Sequence, residues 1–364
     1  MKSSMILGVG HYVPDHVVTN HDLSLLMDTS HDWIVERTGI EERRHVIPGG
    51  GDTTASMGYR ASLLALKNAG VSAEDLDFII FATWSPDYYF PGPGVQLQEM
   101  LAPDHTIGAL DIRNQCSGFV YALSVADQFI RTGMYRRILV VGSEVHSAGL
   151  DMTTRGRNVS VIFGDGAGAV VVGIAEEEGA GKGAEEGAEE GAGKRAGKRA
   201  GGTGFGVSKI LSTHLHSEGR HARELAVISP STQHWVSHIL NENNPNDESY
   251  YPYMNGNFVF KHAITRFAEV INEALTANGV SSGDLKLMIP HQANLRISQY
   301  IQQKMGLRDE QVYNNIMRYG NTTAASIPIA LSEAVAEGRL QRGDLLMLAA
   351  FGSGFTWASA LIRW

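Results

Sequence analysis

Three side chains in this 364-residue chain have the types and settings for nucleophilic chemistry. Cys116 is the only cysteine and lies in the stretch DIRNQCSGFVYAL. His291 follows the apolar run LKLMIP and opens HQANLRISQYIQQKMG, while Asn321 sits in RYGNTTAASIP. Taken singly, each has a plain structural explanation. A lone cysteine is most often a small buried hydrophobe, a histidine at a strand end is often structural, and Gly-Asn-Thr is a turn or a helix cap. What they share is position, because each stands where a strand gives way to a helix. Unpaired N–H groups at a helix start favour thiolate over thiol and can hold an oxyanion. Cys116 is therefore placed where a nucleophile works, with two polar side chains at similar junctions.

The elements that must position them come from an internal duplication. LKNAGVSAEDLDFIIFAT, from Leu66, matches LTANGVSSGDLKLMIPHQ, from Leu275: a helix end, a Gly-Val-Ser turn, Asp-Leu, then a buried strand. CSGFVYALSVADQFIRTGMYRRILVVGSE, from Cys116, matches NTTAASIPIALSEAVAEGRLQRGDLLMLAAFGS, from Asn321. Aligning Gly133 with Gly338 sets Cys116 opposite Asn321. Each segment is expected to be a helix, with Phe119, Leu123, Ala126 and Ile130 facing inward in the first, followed by a Gly turn and a strand. In the helix after His291, Leu295, Ile297 and Ile301 face inward. The chain thus divides into two similar α/β halves, 1–175 and 207–364. Alternating strands and helices predict mostly parallel mixed sheets with helices on their faces. Two such halves pack about a pseudo-twofold axis, and the helix starts at Cys116 and Asn321 then point to a shared centre.

Between the halves, residues 176–206 form a low-complexity Gly/Ala/Glu/Lys insert, with an acidic half followed by a basic half. Such composition cannot bury enough surface to offset ordering entropy, so a surface loop is expected. The remaining composition, 43% hydrophobic, suffices for a large core. One cysteine permits no internal disulfide, the N-terminal MKSSMILGVGHYVPDH lacks a secretory pattern, and no apolar run approaches the roughly 18–20 residues of a membrane span. A cytoplasmic protein without a membrane partner is expected. The formal charge of −9 argues against nucleic acid, whose phosphates demand a basic face.

Other motifs carry less. FGDGAGAVVVG is followed by an apolar strand and not by the helix of a dinucleotide site, and GVGHYVP runs into a proline. His214, His216 and His221 in THLHSEGRH alternate as metal ligands on a strand face would, but no spaced second group completes them. No metal is expected. A cysteine hydrolase also uses Cys, His and Asn in this chain order, although the protease signature around the cysteine is missing.

DIRNQCSGFVYAL, IPHQANLRI, YGNTTAASIP and AFGSGFTWASALIRW together resemble the motifs of β-ketoacyl-acyl carrier protein synthase III, a condensing enzyme of the thiolase superfamily. TSHDWIVERTGI and FGDGAGAVVV extend the similarity along nearly the whole chain outside the insert. The resemblance implies a thiolase-like fold in α/β/α/β/α layers and a decarboxylative Claisen condensation of an acyl-CoA with malonyl-acyl carrier protein. Cys116 would carry the acyl group, His291 and Asn321 would stabilise the enolate, and the backbone N–H groups of Cys116 and Ser353 would hold the tetrahedral oxyanion. A second cysteine, as in biosynthetic thiolases, is missing, and Asn321 stands where elongating synthases have a second histidine.

By matching motif, the resemblance also implies that Trp33 and Arg155 hold the CoA adenine, with Arg37 near the phosphates and Asn294 in the same site. Lys261, Arg296 and Lys304 would dock acyl carrier protein, and Phe90 would cross a homodimer interface to shape the acyl pocket. CoA and carrier-protein thioesters are substrates, and no cofactor is implied. Two departures touch specificity. GSG replaces the family's frequent Gly-Gly-Gly in the last loop, and WSPDYYFPGPG is rich in proline and aromatic residues, which puts pocket size in question. A secondary-metabolite relative that condenses or transfers an unusual acyl group is the alternative. Different classes are a Cys-dependent thioesterase and a catalytically silent carrier-protein-binding homologue.

Overall fold

A computed structural model gives the fold and describes residues 2–175, 208–232 and 248–364. The insert expected at 176–206 lies outside the described residues.

In the first half, strands β1 (Ser4–Tyr12), β2 (Phe78–Ala82), β3 (Gly108–Ile112), β4 (Arg137–Glu144) and β5 (Gly166–Ile174) form a sheet in the order β1-β5-β4-β2-β3. In the second, β6 (Lys209–Ser217), β7 (Leu287–Pro290), β8 (Leu345–Gly352) and β9 (Thr356–Arg363) run β7-β8-β9-β6. Setting β6, β7, β8 and β9 against β1, β2, β4 and β5 makes the two orders the same. The place of β3 is taken in the second sheet by a single parallel bridge between Met288 and Val312. The duplication read from sequence is therefore a duplication of topology.

Parallel pairing is confined to β2 with β3 and β4, and to β7 with β8. The joints β4-β5, β1-β5, β8-β9 and β9-β6 are antiparallel, so the sheets are mixed with a smaller parallel share than strand-helix alternation predicts. The connections give the reason. Only three residues separate β8 from β9, and between β4 and β5 the chain makes short turns without a crossover helix, so each following strand returns antiparallel.

Alternation along the strands feeds two faces. In β4, Ile138 and Val140 enter the central core while Leu139 and Val141 enter an outer one. In β8, Leu346, Leu348 and Ala350 point to the central core, and Met347, Ala349 and Phe351 to the other outer core. Helices α1 (His31–Thr38), α2 (Thr54–Ala69), α3 (Pro93–Leu101), α4 (Gly118–Arg131), α5 (Gly256–Ala277), α6 (Leu295–Met305) and α7 (Ser326–Ala336) distribute accordingly. Helices α4 and α7 share the central core, with Phe119, Leu123, Ala126 and Ile130 fully buried beside Ile327, Ala330 and Leu331. Helix α2 covers the first sheet outside, and α5 and α6 cover the second. The five layers are thus α/β/α/β/α. No helix among the described residues is long and apolar enough to cross a membrane.

The two central helices start against each other. The turn Gln115–Ser117 before α4 contacts the turn Thr323–Ala325 before α7. The residues preceding Cys116 and Asn321 are both left-handed, Gln115 at φ 42° and Gly320 at φ 63°. Gly142 on β4 lets the second turn seat, because a Cβ there would lie 2.3 Å from the Ala324 carbonyl oxygen. We expect Gly142→Ala to cost about 1–3 kcal/mol through overpacking. Urea unfolding should show a lowered midpoint with an unchanged slope, whereas an unaltered midpoint would mean the turn yields freely.

Candidate active site

Cys116 projects from the turn ahead of α4 and is buried. The backbone N–H groups of Ser353 and of Cys116 itself favour the thiolate of its sulfur. A Cβ on Gly352 would come within 2.7 Å of Sγ, so only glycine lets β8 pass the thiol this closely. Burial first, and the Glu144 carboxylate second, push the Cys116 thiol up to about 12. This corrects the expectation of a thiolate favoured by the helix start: desolvation outweighs the N–H donors, and the resting group is the neutral thiol.

His291 follows β7 and is buried, with Nδ1 2.7 Å from Ser326 Oγ and no hydrogen-bond partner on Nε2. Ser326 Oγ also accepts from the Gln292 N–H at 3.4 Å, so its own proton is available for Nδ1. With Ser326 as the donor to Nδ1, the proton of a neutral ring stands on Nε2. Burial depresses the imidazole to about 3, which keeps it neutral near pH 7. Asn321 is fixed as firmly. Its backbone bonds to Ile162 and Gly164, and its Oδ1 accepts from Thr323 N–H at 2.8 Å, which leaves Nδ2 to donate.

Cys116, His291 and Asn321 line one cavity of about 740 Å³, whose wall also carries Trp33, Arg37, Asn294 and Arg296. Cys116 lines a second cavity of about 580 Å³ as well, walled by Trp84, Pro86, Tyr89, Val227, Ile228 and Ser353. The thiol thus stands where two chambers meet, with the imidazole and the amide on the first.

Arg157, and not Arg155, stands over the Trp33 ring at 5.2 Å, with Arg37 also on that ring at 4.4 Å. Arg155 instead pairs with Asp151 and covers Tyr251. Arg155 lies within the short turn Thr154–Gly156 and Arg157 opens the short helix that follows, so the two arginines meet different neighbours. Asn294 caps α6, accepting from Arg296 N–H and donating to the Arg37 carbonyl, so it ties α6 to α1 at the cavity wall. Lys261 on α5 and Arg296 and Lys304 on α6 are exposed. Phe90 is 81% exposed and lines neither chamber within one chain; its neighbour Tyr89 lines the second.

Residues 110–187 match the family model described as 3-oxoacyl-[acyl-carrier-protein (ACP)] synthase III, and 275–364 match that of its C terminal. The chain is 44% identical to Beta-ketoacyl-[acyl-carrier-protein] synthase III of Rhodospirillum centenum, covering 99% of each chain. The chain belongs to the β-ketoacyl-acyl carrier protein synthase III family. The Alkalilimnicola ehrlichii synthase III is 43% identical over the full length of both chains. The crystal structure of the Aquifex aeolicus synthase III superposes with a TM-score of 0.83 at 38% identity, covering 99% of this chain and all of that one.

Several residues of this synthase III site escaped sequence reading. Ser326 was within reach, as the first residue of the helix that Asn321 precedes. Glu144, His146 and Thr323 were not, because only folding brings β4 beside the turn after Asn321. Glu144 is buried and accepts from Thr83 Oγ1 at 2.9 Å and Ser85 Oγ at 2.5 Å; burial still pushes its carboxyl up to about 7. Ionised Glu144 raises the Cys116 thiol, so Glu144→Gln should lower the pH at which iodoacetamide alkylates Cys116. The variant should react several-fold faster at pH 8. The difference should vanish below about pH 7, where Glu144 in the native protein takes up its own proton. Equal rates at pH 8 would remove Glu144 from the thiol's electrostatics.

Proposed function

We propose that this chain, working in the cytoplasm as a homodimer, condenses an acyl-CoA with malonyl-acyl carrier protein and so starts a fatty-acid chain. The observation that carries this is Cys116 at the junction of two chambers, with the unpartnered Nε2 of His291 and the Asn321 amide on one of them. In the first stage Cys116 Sγ bonds to the acyl carbon, the bond to CoA sulfur breaks, and CoA leaves with the thiol proton. The backbone N–H groups of Cys116 and Ser353 would hold the tetrahedral oxyanion. In the second stage the malonyl thioester oxygen takes hydrogen bonds from His291 Nε2 and Asn321 Nδ2. Carbon dioxide departs, and the electron pair it leaves makes an enolate whose charge falls on that oxygen. The enolate carbon then bonds to the acyl carbon, the bond to Cys116 breaks, and a 3-oxoacyl group remains on the carrier while the Cys116 thiolate takes a proton from solvent. A neutral imidazole suits this work, since the donor must stabilise charge without losing its own proton.

The CoA adenine is assigned to Trp33 with Arg157 and Arg37, the pair that flanks the ring at the cavity mouth. Carrier-protein docking falls to Lys261, Arg296 and Lys304, exposed on two packed helices and engaged in no ion pair among the described residues. A local positive face on a chain of net charge −9 steers an acidic partner mainly through on-rate. The second chamber supports an acyl group longer than acetyl. That reading keeps open a secondary-metabolite role, and one solved relative, 30% identical with a TM-score of 0.81, is the priming β-ketosynthase of the R1128 polyketide pathway.

The test separates the two stages across a series of acyl-CoA lengths. Cys116→Ala should form no acyl adduct by intact mass. His291→Ala and Asn321→Ala should still be acylated but release carbon dioxide from malonyl-carrier protein about 10²–10³ times more slowly. Arg157→Ala should raise KM for acyl-CoA, and Arg155→Ala should not. An adduct that water removes with no carbon dioxide formed would make the protein a thioesterase, and no adduct at any length would make it a silent homologue.

Homodimerisation is supported by the loop Tyr88, Tyr89 and Phe90, exposed by 59, 73 and 81%, beside the open edge of β3. Sedimentation equilibrium should give twice the chain mass of 39.4 kDa, and a single-chain mass would reject the dimer.

A further inference from the structure

A second buried histidine lies outside the trio, and the duplication gives it no counterpart role. His146 follows β4 and is 1% exposed, packed with its ring stacked on Phe163 at 4.6 Å and tilted against Trp84 at 5.4 Å. Its Nε2 lies 2.8 Å from Thr323 Oγ1, and its Nδ1 has no hydrogen-bond partner. A buried ring nitrogen without a partner costs stability. A leucine would fill the space between Phe163 and Trp84 without that cost. The imidazole is therefore accounted for by its other nitrogen, the one that meets Thr323.

Thr323 needs holding. It is β-branched and left-handed at φ 48°, a conformation that side chains of this kind rarely adopt unless the surroundings impose it. In that conformation its backbone N–H points to Asn321 Oδ1 at 2.8 Å. This bond distinguishes the two ends of the Asn321 amide, presenting Nδ2 and not Oδ1 to the chamber.

We propose that His146 is a positioning residue for the condensation: its bond to the Thr323 hydroxyl holds that residue left-handed, which in turn aims Asn321 Nδ2 at the enolate oxygen. The inference rests on the role proposed above for Asn321, and it concerns the decarboxylation stage alone. Acylation of Cys116 uses the N–H groups of Cys116 and Ser353, which His146 does not touch.

The test measures both stages in His146→Leu, Thr323→Val and the double variant, using acetyl-CoA or the best acyl-CoA of the series and malonyl-carrier protein. Both single variants should keep the acylation rate within about threefold and lower carbon dioxide release about tenfold in kcat, with KM for malonyl-carrier protein little altered. The double variant should lose no more than either single one, because the residues act through the same bond. His146→Gln, whose amide reaches Thr323 Oγ1, should recover most of the rate. A merely structural role would instead slow both stages together and would not be rescued by glutamine. Normal carbon dioxide release in Thr323→Val and His146→Leu, with Asn321→Ala still defective, would overturn the inference and leave the Asn321 assignment standing. Normal release in Asn321→Ala would overturn that assignment itself. If His146→Leu fails to fold, Thr323→Val, which deletes one hydroxyl, decides alone.

Discussion

Two of the three candidate groups, Cys116 and Asn321, are located by one packing constraint: two helices begin back to back in the layer between two sheets. The turn that carries Cys116 touches the turn that follows Asn321. The first turn is seated by Gly352 on β8 and the second by Gly142 on β4, because a side chain at either glycine would occupy the turn's space. A duplicated α/β unit thus converts two ordinary strand-to-helix junctions into one site, because the pseudo-twofold axis passes between them.

Burial sets the electrical character of that site. The thiol lies near 12, His291 and His146 near 3, and Glu144 near 7, and in each case desolvation is the largest cause. At neutral pH both imidazoles and the thiol carry no charge. In such surroundings hydrogen-bond donors act strongly on charge that develops nearby, since little water competes with them. The donors are also preorganised: Ser326 orients His291, and Thr323 orients Asn321. A resting thiolate would have spent part of this donor capacity before any substrate arrived.

The trio was legible because chemistry and duplication coincide along the chain. Aligning the halves paired Cys116 with Asn321 before any coordinates, and β1-β5-β4-β2 against β6-β9-β8-β7 repeats that pairing in space. Where reading along the chain failed, the cause was local geometry. Arg155 lies inside a short turn and Arg157 opens the helix after it, and only folding decides which one reaches Trp33. The helix-start argument for a thiolate failed because it counts the N–H donors and omits the water lost on burial and the Glu144 carboxylate from another strand.

Sequence by itself determined the α/β class, the duplicated topology and the buried face of α4, and it singled out Cys116, His291 and Asn321 as candidates. These are periodic or local properties, carried by spacing and residue type. Tertiary structure alone decided the mixed pairing of the sheets, the meeting of two chambers at Cys116, the protonation states, and the His146–Thr323–Asn321 relay. Those depend on distances between residues far apart in the chain and on how much water folding removes, and neither quantity is written in the order of the residues.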